Sequence, residues 1–163
     1  MEPMKRFSAP WGKTLGWVSV LSTLLCVGVL VLLAMVPHQD TIRHFVLPFG
    51  FIFALQFLAA LFTIRGYTVT PDAILVHRLF WDTRLPREGL VSATVEPKVM
   101  NCSLRICGNG GLFSFSGWFW SKSLRRYKAY VTDLNRTVVL RWEKRTAVVS
   151  PDDPEGFVQE LMG

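Results

Sequence analysis

Residues Leu15–Val36 read LGWVSVLSTLLCVGVLVLLAMV, a run of 22 positions without a charge. Coiled into a helix at about 1.5 Å per residue, it measures roughly 33 Å, the thickness of a bilayer's hydrocarbon core. A second charge-free run, FVLPFGFIFALQFLAALFTI, covers Phe45–Ile64. Pro48 and Gln56 are tolerable in it, because a membrane helix can satisfy an occasional polar group through its neighbours. The link PHQDTIRH, residues 37–44, is short enough only for an antiparallel pair. A basic head followed by an apolar run is also the form of a cleaved signal peptide. This run exceeds the usual apolar length of about 7–15 residues, and no small-x-small cleavage site follows it. With a second span close behind, a retained hairpin is the expectation.

Orientation follows from Lys and Arg near the span ends. Lys5, Arg6 and Lys13 precede the first run, Arg65 and Arg78 follow the second, and the link offers Arg43 alone. The flank 1–14, the spans 15–36 and 45–64, the external loop 37–44 and a cytoplasmic domain over 66–163 make up the expected organisation. Both termini then lie at the inner face of a cytoplasmic membrane. Of the net charge of +6, three units fall within 66–163, where 13 basic groups outnumber 10 acidic ones. A modest positive balance beside membrane spans suits an anionic leaflet before it suits nucleic acid, and no recognition helix is visible. The topology keeps Cys102 and Cys107 in a reducing compartment. Across CSLRIC as a strand their sulfurs would stand roughly 16 Å apart on opposite faces, too far to bridge. Cys26, inside the first span, reads as a small buried hydrophobe.

From Gly66 the periodicity changes to two. In GYTVT, Tyr67 and Val69 share one face, and Thr68 and Thr70 the other. AILVHRLF, TRLP, LVSATVE, SLRIC, LFSFS, YKAYVT, RTVVLRW and TAVVS follow as short strands set off by turn residues. Val138, Leu140 and Trp142 fall on one face. SPDDPEGFVQELMG then starts a helix: Asp152 or Asp153 suits the N-cap, Pro154 the first turn, and Phe157, Val158, Leu161 and Met162 form an apolar side. A small barrel or bent sandwich plugged by one terminal helix is implied.

GYTVTPDAILVHRLFWDTRLPREGLVSA, GNGGLFSFSGWF, YKAYVTDLNRTVVLRW and VVSPDDPEGFVQEL together resemble the bacterial PH-domain family of small prokaryotic membrane proteins. The resemblance covers about residues 66–162 and implies an α+β membrane protein: a two-helix transmembrane hairpin followed by a PH-like, seven-stranded antiparallel β barrel capped by a C-terminal helix. Such barrels serve lipid binding, peptide binding and self-association alike, and fold does not choose among them.

A catalytic constellation is not visible in the sequence. Gly108, Gly110 and Gly111 miss the GxGxxG pattern because Phe113 stands at its last position, and no GK[ST] follows. His77 sits mid-strand, and Ser150, Asp152 and His77 have no elbow motif to unite them. Neither a metal-ligand cluster nor a cofactor signature is visible, so the chain is expected to be non-enzymatic. Between Glu96 and Asp133, however, six basic residues meet no acidic one. With GNGG as a turn and LFSFS as a strand bearing Phe113 and Phe115 on one face, GWFWSKSLRRYK is left as a loop. Trp118, Phe119, Trp120, Lys122, Arg125, Arg126 and Lys128 are its lipid- or partner-facing candidates, since Trp favours the interface and each Lys or Arg adds about 1 kcal/mol toward an anionic leaflet. Core packing of the aromatics beneath a solvated basic face, and a groove for an acidic protein partner or a second copy of the chain, are the competing readings. The first hairpin, TVTPDAILVHR, lacks the clustered Lys and Arg that phosphoinositide pockets use.

Overall fold

The computed structural model describes residues 5–35 and 39–163. The chain runs β1 (Lys5–Ser8), α1 (Lys13–Ala34) and α2 (Gln39–Leu61). Then come β2 (Gly66–Val69), β3 (Ala73–His77), β4 (Asp82–Pro86), β5 (Leu90–Val95), β6 (Leu104–Leu112), β7 (Ser114–Ser121), β8 (Arg125–Val131), β9 (Val138–Trp142), β10 (Thr146–Val149) and α3 (Pro154–Met162).

The two long helices carry their apolar side chains outward. Trp17 is 67% exposed and Leu25 70%, with Leu24, Leu32, Phe51 and Phe57 also turned away from the protein. Their polar side chains turn toward each other: Cys26 Sγ donates to Gln56 Oε1 at 2.9 Å, and Gln56 Nε2 donates to Thr23 Oγ1 at 2.8 Å. Cys26 is therefore half-buried and hydrogen-bonded rather than a plain hydrophobe. Among the described residues one helical stretch, Lys13–Leu32, is long and apolar enough to cross a membrane, and Phe49–Leu61 is a shorter apolar one. α2 begins at Gln39, earlier than Phe45, because no Gly or Pro interrupts 39–47. Most of the expected loop 37–44 is thus helical; 37 and 38 lie outside the described residues.

Among the described residues ten strands form two sheets, ordered β1-β2-β3-β4 and β5-β9-β10-β8-β7-β6. This corrects the expectation of a closed seven-stranded antiparallel barrel. The sheets are not joined into a ring, and β10 runs parallel to β8. The flank contributes a strand of its own: Phe7 pairs with Tyr67 and Lys5 with Val69, so β1 caps the sheet edge that β2 would otherwise leave open.

A core of Phe7, Tyr67, Ile74, Val76, Val138, Leu140 and Trp142 lies between the sheets, with Phe157 and Leu161 of α3 inserted into it. Residues of even and odd number separate on β9, since Val139 faces a second core with Phe119, Tyr127 and Val148. The central strands β9 and β10 of the six-stranded sheet are thereby buried on both faces. α3 packs over β5 and β2, filling the open side. Asp153 caps it by accepting from Gly156 N–H at 3.0 Å, Pro154 occupies its first turn, and Arg87 Nη2 donates to the Leu161 carbonyl at its far end. Met162, expected inside, is exposed.

Tyr67 ties the two sheets together. Its hydroxyl donates to Tyr130 O at 2.6 Å and accepts from Ser150 N–H at 3.1 Å, while Ser150 Oγ accepts from Thr132 N–H at 2.8 Å. Burial pushes the Tyr67 hydroxyl up to about 12, against the opposing pull of its Ser150 bonds and Arg78.

Candidate functional site

The glycine–aromatic stretch folds into one hairpin, β6–β7, not a turn, a strand and a loop. GNGG lies within β6, and the chain reverses at Phe113, which takes a left-handed φ of 60°. Asn109 closes that turn: its Oδ1 accepts from Leu112 N–H at 3.0 Å and its Nδ2 donates to Leu112 O. Gly108 and Gly117 stand opposite each other with φ of +117° and +139°. A Cβ on Gly117 would lie 2.8 Å from Gly108 Cα, so the pair permits a close backbone approach that any side chain would block.

This hairpin leans on the long helices. Gly12 N–H donates to Thr132 O at 3.0 Å at the foot of α1, and Phe113 N–H donates to Ser19 Oγ at 3.0 Å farther up. Seven residues of helix separate these contacts, about 10 Å of rise, so the hairpin tip climbs along α1. Ser114 Oγ donates to Phe62 O at 3.1 Å, just past the end of α2. The other end of β7 runs away from the helices; Ser121 is seven residues on from Ser114, roughly 23 Å along the strand.

The seven sequence candidates part company on this hairpin. Phe119 is 4% exposed and stacks on Tyr127 at 6.0 Å between centroids, so it faces neither lipid nor partner. Strand alternation is the cause: it sends Trp118 and Trp120 to the opposite face. Trp118 pairs with Lys128 across the strands, Trp120 with Arg126, and the Arg126 guanidinium covers the Trp118 ring at 4.5 Å. Lys122 and Arg125 are exposed at the distal β7–β8 turn. Trp118–Trp120 and Arg125–Lys128 are therefore strand residues, and only 122–124 form a turn.

Trp118 and Lys128 line a cleft of about 590 Å³ between the last turns of α2 and the six-stranded sheet. Leu55, Leu58 and Phe62 form its helical wall, and Arg105 and Tyr130 help to form the sheet side. Arg78, 8% exposed, is also part of its lining. Its Nη1 donates to Phe62 O at 2.9 Å, Nη2 to Ser116 Oγ at 3.0 Å and Nε to Thr83 Oγ1 at 3.2 Å. The guanidinium also lies 5.4 Å from the Phe62 ring, 5.6 Å from Tyr130 and 6.0 Å from Trp81, a cation–π surround. Burial pulls its pKa below the ordinary arginine value, opposed by Tyr130 and Tyr67. No carboxylate pairs with Arg78 among the described residues. Nothing in the sequence sets Arg78 apart from the other positive charges after the second span.

Arg78 also opens the β3–β4 turn, its N–H donating to Trp81 O at 3.0 Å. Leu79, Phe80 (74% exposed) and Trp81 stand out from that turn, and the Trp81 ring meets Phe62 edge-on at 5.2 Å. An exposed apolar turn is thus fastened to the end of α2. The strand expected over all of AILVHRLF ends instead at His77.

His77 bridges Thr68 Oγ1 at 2.7 Å and Asp82 Oδ1 at 2.8 Å, away from Ser150, which is committed to Tyr67 and Thr132. Thr68 is buried in the sheet. Among the described residues no group of three His, Cys, Asp or Glu is placed to hold a metal, and the three cysteines are free thiols.

Comparison with protein families finds a match over residues 65–163 to the one described as bacterial PH domain. No curated protein and no solved structure matches the chain.

Proposed function

Because the chain belongs to the bacterial PH-domain family, we propose that it is a non-enzymatic interaction module, held by a two-span hairpin at the inner face of a membrane with its β domain in contact with anionic lipid. A PH-like domain is an interaction scaffold rather than a catalytic one by habit of fold, and the particular role is argued from the sites. The observation that carries the reading is the inverted polarity of α1 and α2. Large apolar groups cover their outer surface while Gln56, Cys26 and Thr23 bond to one another inside, the pattern of helices solvated by lipid. Three features add support. β1 and β2, on either side of the hairpin, are neighbours in one sheet, which requires both to lie on one side of whatever the helices cross. Trp11 and Trp17 flank the start of α1, and Leu79–Trp81 project beside the end of α2, as interfacial aromatics do. The Lys and Arg bias of the flanks favours the cytoplasmic side.

The test uses the full chain in its native membrane. Resistance to alkaline carbonate extraction, together with protease access to the β domain only from the cytoplasmic side, is expected. Release by carbonate would refute membrane anchoring.

A second reading is favoured by the distal turn. Lys122, Arg125 and Arg126 are exposed at the end of the hairpin that points away from the helices, with Trp120 beside them. That end suits an acidic protein partner or a second copy of the chain better than the bilayer. In-membrane crosslinking from position 123 distinguishes the readings: a single protein adduct lost on Arg125→Glu/Arg126→Glu favours the partner.

A further inference from the structure

We propose that the cleft between α2 and the six-stranded sheet is a site for one anionic phospholipid, its phosphate held by Arg78, Arg105 and Lys128 and an acyl chain lying along Leu55 and Leu58. This rests on the membrane reading above and names the ligand that the reading leaves open.

The charge pattern supplies the first argument. Three basic side chains and no acidic one line the cleft. None of the three has a carboxylate partner among the described residues. A buried cation left without a counter-charge is costly, and an anionic ligand relieves that cost. Arg78 gives three N–H groups to Phe62 O, Ser116 Oγ and Thr83 Oγ1, and a guanidinium has five in a planar fork suited to phosphate oxygens. Its orientation is fixed in advance by those bonds and by the three surrounding rings, so binding need not immobilise it.

The walls supply the second. Leu55 and Leu58 belong to the same apolar exterior of α2 that would face lipid tails. A chain leaving the cleft along them passes from protein into the bilayer without crossing water. Free phosphate or a soluble phosphorylated metabolite would leave that apolar wall uncovered; a membrane amphiphile covers both halves. The volume of about 590 Å³ lies within the ordinary range for ligand clefts.

The test is native mass spectrometry of the full-length protein released from nanodiscs of dioleoyl phosphatidylglycerol or dioleoyl phosphatidylcholine. One phosphatidylglycerol is expected to stay bound, with phosphatidylcholine retained far less. Arg105→Glu/Lys128→Glu, an exposed and a half-buried position, should lower occupancy by about tenfold or more, the scale of one lost charge-assisted contact, and Arg105→Glu alone should lower it in the same direction. Lys122→Glu/Arg125→Glu, at the distal turn outside the cleft lining, should leave it unchanged. Wild-type retention by the Arg105→Glu/Lys128→Glu variant, equal retention of phosphatidylcholine, or displacement by inorganic phosphate alone would each overturn the proposal. Carbonate extraction of the same preparations separates the failures. Protein that resists extraction but keeps no phosphatidylglycerol refutes the lipid site alone, whereas extracted protein refutes the membrane reading and the site with it.

Discussion

Phe7→Ala tests the claim that the N-terminal flank is part of the β domain and not a tether. Phe7 is 3% exposed, pairs with Tyr67 across β1 and β2, and meets the Phe157 ring edge-on at 5.1 Å. Truncating a buried phenylalanine to alanine costs about 3–5 kcal/mol, through lost transfer energy and the cavity left behind. At about 4 °C per kcal/mol for a domain of this size, the β domain should unfold roughly 12–20 °C lower. Lys5→Ala is the control. It removes the exposed Lys5–Glu160 pair at 3.7 Å and the ammonium contact with the Phe7 ring at 5.5 Å, which together contribute about 2 kcal/mol at most. Thermal scans of the full-length protein in mild detergent, followed by tryptophan fluorescence, read both variants. A Phe7→Ala midpoint no lower than that of Lys5→Ala would refute the placement of β1 in the core.

Gly117→Ala should cost about 2 kcal/mol or more, because a φ of +139° and the approach of Gly108 leave no place for a methyl; denaturant unfolding measures it. Tyr67→Phe leaves Tyr130 O and Ser150 N–H without their partner, a loss of about 1–3 kcal/mol at neutral pH. The same residue sets an alkaline slope. The unfolded chain releases the Tyr67 proton near pH 10 while the folded protein holds it to about 12, so its contribution is complete below pH 10 and falls by about 1.4 kcal/mol per unit between them. Urea midpoints across that window should fall less steeply in Tyr67→Phe than in the wild type. Gln56→Leu removes both interhelical bonds, each about 0.6 kcal/mol, and should lower the stability of the full-length protein in mild detergent by about 1 kcal/mol, read by denaturant unfolding.

Local patterns in the sequence predicted local elements well. The charge-free run became α1, Asp153-Pro154 became a helix start, and the alternation of Val138, Leu140 and Trp142 became a core face. Elements defined by distant partners were not legible. β1 holds a single buried apolar residue, and the strand that pairs with it arrives only after both long helices. The glycines of GNGG look like turn residues until Gly117 is placed opposite Gly108. Alternation along GWFW separates Phe119 from its tryptophans once the stretch is a strand; a loop carries no such period. The isolation of Arg78 had no sequence signal, because the lack of a nearby carboxylate is a property of the fold.

The pairing of β1 with β2 makes the long helices an excursion inside a single β-ribbon. For the topology proposed above, this turns strand pairing into an inspection of membrane insertion. β1 leaves the ribosome before either helix and has no partner until α2 has returned the chain to the same side. A molecule with only one helix inserted would hold the two strands on opposite sides, leaving the β2 edge bare and the Phe157 ring without Phe7. Quality control that recognises exposed strand edges and unfilled cores would then detect a topological error through an incomplete soluble domain.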